Sequence, residues 1–192
     1  MKKPKYFSWG NKKLPKTTAI FNITTALGCP AHAKGLCQLA SPTKQCYAMV
    51  AERMYPTVLP YRKRQLKFWK GITAQEFVNQ LMLEKCRKTL EKVRFNEAGD
   101  FRKQEDVVKA EEVATILFEK HNVITYCYTA RSDLDFSVRK NLIVNGSNFL
   151  VDNKFQVVYK KENLNGLICK MDCRVCDMCA QRLNQTIKVM KH

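Results

Sequence analysis

The sequence predicts an α/β fold, a parallel sheet built from strand–loop–helix units and followed by a cysteine-rich C-terminal metal-binding segment. Three observations carry that expectation. Segments of strand composition alternate with segments of helical periodicity, which is the order of βα crossover units. The polar loops at 28–46, 96–100 and 129–135 each follow a strand-like segment, at the sheet edge where α/β proteins place their ligands. Finally, four cysteines crowd into residues 169–179.

The elements follow in order. Residues 1–16 read as a basic arm whose Tyr6, Phe7 and Trp9 pack onto the body. Within 17–25, Ala19-Ile20-Phe21-Asn22-Ile23-Thr24 is β-branched and apolar, and it runs into the turn signal Gly28-Cys29-Pro30. A cysteine-bearing loop extends to Cys46, where Tyr47-Ala48-Met49-Val50-Ala51 opens a helix. Residues 58–70 form a basic amphipathic helix, with Lys63, Lys67 and Lys70 on one face and Leu66 and Trp69 on another. Thr73 and Glu76 match a capping box, and Phe77, Val78, Leu81 and Met82 continue that helix. Val93-Arg94-Phe95-Asn96 is a short strand, and residues 105–120 a helix with Val107, Ala110, Ala114 and Leu117 on one side. Residues 123–128 are the clearest strand; shorter ones follow near 142–144 and 155–159, and a terminal helix is expected over 180–190. The whole reads as a single α/β domain over 1–192, with the βα core at 17–165 and the tail at 166–192.

A hydrophobic fraction of 45% suffices for a core, so size alone does not call for a metal. Lysine and arginine number 34 against 17 acidic residues, a net charge of +17, which favours nucleic acid or another polyanion as partner or else a well-solvated surface. No apolar run approaches the roughly 20 residues of a membrane span. Met1-Lys2-Lys3-Pro4-Lys5-Tyr6 is basic but no apolar stretch follows it, so a secretory signal is not expected and a cytosolic location is. In that reducing compartment nine cysteines, an odd number, read as metal ligands or catalytic thiols rather than disulfides.

Cys169, Cys173, Cys176 and Cys179 are separated by three, two and two residues, so short loops turn four thiols toward one centre. Thiolates suit zinc and iron–sulfur clusters alike. Structural zinc sites usually split their ligands into two distant pairs, whereas consecutive short intervals are the style of ferredoxin-type cubane ligation, which favours iron–sulfur over zinc here. Cys29, Cys37 and Cys46, separated by seven and eight residues, are either a second thiolate set or small buried hydrophobes. His32 in the same loop is a candidate zinc ligand or a solvent-exposed side chain. Cys86 and Cys127 fit a packed core, and His121 fits a helix C-terminus.

The polar strand-end residues have two readings. Arg94 and Arg131 bind an anionic ligand, or they pair with Glu97 and Asp100; Asp100, Ser132 and Asp133 equally suit caps and turns.

Gly28-Cys29-Pro30, Cys46-Tyr47-Ala48, the run from Arg94 to Phe101 (Arg-Phe-Asn-Glu-Ala-Gly-Asp-Phe) and Tyr128-Thr129-Ala130-Arg131-Ser132, with the cysteine-rich tail, resemble the bacteriophage gene-product-88-like family over about 20–180. That resemblance implies a phage origin and the cytoplasm of the infected host cell. A more distant likeness is to radical S-adenosylmethionine enzymes, in which a strand leads into a three-cysteine loop and then a helix. It implies a partial (βα) barrel-like sheet, a 4Fe–4S cluster held by Cys29, Cys37 and Cys46 with one iron left for S-adenosylmethionine, and an auxiliary cluster in the tail. Glu97, Gly99 and Asp100 would then take the place of the motif that holds the methionine amino group, with Arg94, Asn96 and Arg131 beside them as cofactor-binding residues. The loop spacing here is wider than in those enzymes.

The expected function is therefore a phage-encoded protein holding one or two 4Fe–4S clusters, in redox or radical-type chemistry, with enzyme status and catalytic residues unassigned. The alternative is a nucleic-acid-binding module stabilised by zinc or iron–sulfur. It draws on Arg62-Lys63-Arg64, Lys67 and Lys70, with Tyr61, Phe68 and Trp69 either stacking on bases or forming core. A third reading is a purely structural metalloprotein. Nothing in the sequence assigns an oligomeric state.

Overall fold

In the computed structural model, which describes residues 4–40, 46–85, 89–159 and 165–190, eight strands form one sheet. They are β1 (Ser8–Trp9), β2 (Thr18–Phe21), β3 (Lys92–Phe95), β4 (Ile124–Thr129), β5 (Leu142–Ser147), β6 (Asn153–Val158), β7 (Leu167–Ile168) and β8 (Thr186–Met190). The spatial order is β1-β2-β3-β4-β5-β6-β8-β7. β1 lies antiparallel to β2, and every other neighbouring pair is parallel. The order advances from β2 to β6 without reversing, so crossovers of one hand place their helices on one face of the sheet.

Among the described residues five helices join these strands: α1 (Pro30–Ala33), α2 (Tyr47–Met54), α3 (Val58–Gly71), α4 (Ala74–Lys85) and α5 (Gln104–His121). The expected capping box opens α4, since Thr73 N–H donates to Glu76 Oε2 at 2.8 Å and Glu76 N–H to Thr73 Oγ1 at 3.2 Å. α5 ends on Asn122 in the left-handed region (φ 52°), its N–H returning to the last carbonyls of the helix.

The core lies between the sheet and α3–α5. Trp69, Phe77, Phe21 and Phe95 are fully buried, with ring centroids 4.9–6.1 Å apart in mostly tilted and edge-to-face contacts. The Trp69 indole N–H donates to Asp106 Oδ1 at 2.8 Å, so its one polar atom is satisfied. Tyr6 stacks on Phe68 with centroids 4.0 Å apart, and Glu84 accepts the Tyr6 and Phe7 N–H groups, which ties the arm down. Of the aromatics weighed for base stacking, Trp69 and Phe68 are thus taken by the core and the arm. Lys63, Lys67 and Lys70 are exposed, as their spacing on the helix predicts.

Two expectations need correction. Residues 180–190 are not a helix: a 3-10 turn covers Met178–Ala180, and residues 186–190 form β8. Thr-Ile-Lys-Val-Met alternates, burying Ile187 and Val189, and the strand bonds to β6 on one side and β7 on the other. The βα rhythm also stops after α5. Residues 130–141 join β4 to β5 without a helix, and residues 148–152 alone join the parallel β5 and β6. Parallel pairs usually need a dozen or more residues. Here Gly146 permits the tight return, because a Cβ there would lie 2.3 Å from the Phe149 carbonyl oxygen. Asp152 then fastens it, accepting from Val144 N–H, Arg139 and Arg182. Cys86 lies outside the described residues.

Candidate functional site

Three loops leave the C-terminal ends of β2, β3 and β4, and hydrogen bonds sew them together. Asn22, just past β2, accepts the Ala98 N–H at 2.8 Å and donates to Gln65 at 3.2 Å. Thr24 Oγ1 accepts the Asp100 N–H at 3.0 Å. Gly99 has φ +71°, and a Cβ there would meet Thr24 Oγ1 at 2.3 Å, so only glycine fits beside that threonine. Asp100 in turn accepts from Phe101 N–H, Thr129 Oγ1 and Ala130 N–H at 2.7–2.8 Å. Its burial pushes the carboxyl up to about 6, against the pull of those donors and of Arg131. Arg131 spends its guanidinium on the Phe101 and Arg102 carbonyls and on Asp133. Of the expected ligand-binding residues, Gly99, Asp100 and Arg131 are therefore committed within the chain.

The loop cysteines hang from this frame. Glu52 of α2 accepts the Ala26 and Leu27 N–H groups at 2.6 and 2.9 Å and pairs with Arg62 at 2.9 Å, which fixes the path into the loop. Cys29 is the N-cap of α1 and Cys46 that of α2, with Cys37 between them in sequence, all partly buried. Burial pushes Cys29 up to about 12, although the His32 and Ala31 N–H groups favour its thiolate; Cys37 is raised for the same reason, then by Cys46 and Asp100. His32 lies in α1 close to Cys29.

The tail cysteines lie against the far face of the sheet, away from α3–α5. Along β4, Cys127 points into the main core, whereas Tyr126 and Tyr128 point to the far side, where Ile143, Cys179 and Ala180 meet them. Asn145 donates to the Cys179 carbonyl at 2.9 Å, Cys169 N–H to the Lys188 carbonyl at 2.8 Å and Cys173 N–H to the Lys13 carbonyl at 2.9 Å. An ion pair between Lys92 and Asp177 pins the segment to β3. Burial pushes Cys179 up to about 12, and Cys169 and Cys173 add to that; Cys173 is raised by burial and by Cys169 and Cys176. All eight described cysteines are free thiols. Among the described residues, no three His, Cys, Asp or Glu side chains converge closely enough to hold one metal ion. The donor chemistry of both sets suits a soft metal, while the sulfurs are neighbours rather than a closed shell.

Arg94 projects from β3 toward the same far face, its guanidinium carbon 4.8 Å from the centre of the Tyr128 ring. Burial works against its charge, but the surroundings, Tyr128, Tyr126 and Glu97 among them, outweigh that and raise it above the ordinary arginine value. Its Nε is sealed from solvent without a partner. Glu97 is engaged by Asn11 Nδ2 at 2.8 Å, and Tyr47 Oη donates to the Glu97 carbonyl at 2.9 Å. Asn96, at φ 61°, accepts the Ile23 N–H at 3.4 Å and leaves a buried Nδ2 unpartnered. Sequence reasoning missed Tyr126 and Tyr128 as members of this site. The alternation of β3 and β4 was the available signal, since it sets Arg94 and both tyrosines on one face. A cleft of about 640 Å³ opens beyond β2 and β3, lined in part by Asn22, Tyr61, Arg64 and Glu97.

A family model described as gene product 88 matches residues 2–181, nearly the whole chain, so the protein belongs to the family its motifs resemble. No curated protein and no solved structure matches it. No helix among the described residues is long and apolar enough to cross a membrane.

Proposed function

We propose that this member of the gene product 88 family is a phage iron–sulfur protein with two thiolate sets on one partial-barrel-like sheet. The observation that supports it best is the state of the cysteines. Seven of them are free, partly buried and gathered in two groups, one in the loop and one in the tail. Cys169, Cys173, Cys176 and Cys179 would supply the four thiolates of a 4Fe–4S cluster. Cys29, Cys37 and Cys46 would supply three, leaving one iron open to a ligand. When bound, such a cluster supplies one-electron chemistry. The chain's own part is to seat the loop through Glu52 and Arg62, to hold the tail through Lys92 and Asn145, and to keep both sets partly shielded from water. Activation of S-adenosylmethionine at the open iron is the finer form of this reading. It would draw on Arg94, since Gly99, Asp100 and Arg131 are already engaged and Glu97 is turned to Asn11.

Anaerobic purification, iron, sulfide and zinc analysis and a visible spectrum test the reading. Iron and acid-labile sulfide in equal amounts are expected; zinc without iron would sink it.

A second reading has its own support. α3 contains no acidic residue and exposes Lys63, Arg64, Lys67 and Lys70, which suits a phosphate backbone. Of its expected aromatic partners, Phe68 and Trp69 face inward, while Tyr61 is partly buried with Arg64 over its ring and its hydroxyl on the Tyr6 carbonyl, so contact would be mainly electrostatic.

A further inference from the structure

Buried arginines ordinarily spend their five N–H donors on carboxylates or carbonyls, because an unpaired guanidinium in a low-dielectric setting is costly. Arg62, Arg102 and Arg131 follow that rule, each pairing with a carboxylate on its own side of the molecule. Arg94 does not. Among the described residues its guanidinium donates no hydrogen bond and joins no ion pair, and Nε is fully sealed. The residue as a whole is only partly buried, so the outer edge of the fork stays within reach of solvent. Of the two carboxylates three residues away, Glu97 is turned to Asn11 and Glu91 accepts from Thr17 Oγ1. The cation is held in place instead by the Tyr128 ring beneath it.

We infer that Arg94 is the receptor for an oxyanion, a carboxylate or phosphate group of a small ligand lying on the far face between the two cysteine sets. A planar fork of donors with no internal acceptor matches either group in bidentate fashion. Tyr128 lies beneath the guanidinium and the buried Tyr126 beside it, so that side of the fork is closed and a ligand would meet its outer edge. The position is set by the backbone, since β3 is an inner strand bonded on both sides, so the fork is pre-placed rather than assembled on binding. The inference needs no metal and stands apart from the iron–sulfur reading.

The test uses the full chain labelled with nitrogen-15, following the Arg94 Nε–Hε resonance while inorganic phosphate and, separately, succinate are added at constant ionic strength. A saturable shift of that resonance is expected with at least one probe, and the better probe tells a phosphate ligand from a carboxylate one. Arg94→Met should bind at least about tenfold more weakly, as loss of a charge-assisted pair implies, while a change at the exposed Arg53, Arg53→Met, should leave binding unchanged. Because the wild-type titration needs no variant, a misfolded Arg94→Met does not blunt the result. A linear shift shared by Arg53 and Arg94 means an adventitious ion only and overturns the proposal. So does an Arg94 signal that moves only on iron loading, which would make the residue a counter-charge for thiolates. Saturable anion binding by a protein without iron would uphold it and defeat the metal reading alone.

Discussion

The two faces of the sheet are finished to different degrees. On the side of α3–α5, Trp69, Phe77, Phe95 and Leu117 are fully buried, and the polar atoms among them are matched: Trp69 to Asp106, Asp106 to Arg102, Lys109 to the carbonyls ending α3. On the far side a thin cysteine-bearing tail lies over two tyrosines, and a guanidinium has no internal acceptor. The helix side carries the packed core, with Thr125 Oγ1 buried there without a partner, and the far side carries the unpaired guanidinium. Natural proteins break local rules of this kind at functional sites, supported by a core that tolerates the cost.

The largest test of that division is Trp69→Ala. It should destabilise the chain by about 3–5 kcal/mol in urea unfolding, since it opens a cavity in the aromatic core. If it costs no more than a change at Tyr128, the contrast between the faces is broken. Glu52→Ala comes next. It strands the buried Arg62 and frees the Ala26 and Leu27 N–H groups, costing about 3 kcal/mol. It should strip metal from the loop set while the tail set stays loaded, read as partial loss of iron per chain.

Asp106→Asn sharpens the account on the helix side at about 2 kcal/mol, because it weakens charge-assisted bonds from Arg102 and Trp69. Burial raises the Asp106 carboxyl, but Arg102 and Trp69 outweigh it and leave it below its ordinary 3.8. A carboxyl with a lowered folded pKa stabilises fully above the unfolded value and loses that contribution as pH falls through the folded one. The gap between native protein and Asp106→Asn should therefore be constant above about pH 5 and close in stronger acid. A gap that widens in acid contradicts the assignment. The smallest effect on stability belongs to Lys63→Glu, Lys67→Glu and Lys70→Glu together, within about 0.5 kcal/mol each for exposed positions. If α3 meets duplex DNA, the same variant lowers the steepness of the salt dependence by up to about three in the log–log slope.

Much of the first half was legible in the sequence. Apolar periodicity placed α3, α4 and α5, and Thr73 with Glu76 marked the start of α4, because these signals are local. The family motifs were equally plain, since their residues are the ones that stitch strand ends: Asn96, Gly99 and Asp100 serve backbone geometry before any ligand. What the sequence did not show is non-local. The strand β8 depends on partners β6 and β7, and a five-residue basic-apolar run reads as helix until a sheet edge is there to receive it. The sequence left Arg94 two readings, an anionic ligand or pairing with Glu97, and only the fold shows that carboxylate turned to Asn11.

The proposed iron–sulfur reading puts two separate thiolate-bound centres in the chain, one on the far face and one in the adjoining loop. Iron and acid-labile sulfide counted per chain in anaerobically prepared wild type, Cys29→Ala and Cys173→Ala tests it most directly. The account predicts equal iron and sulfide in the wild type, with each variant losing one cluster's share and keeping the other's. Complete loss of iron in both single variants would mean one shared centre, and zinc in place of iron would contradict the account altogether.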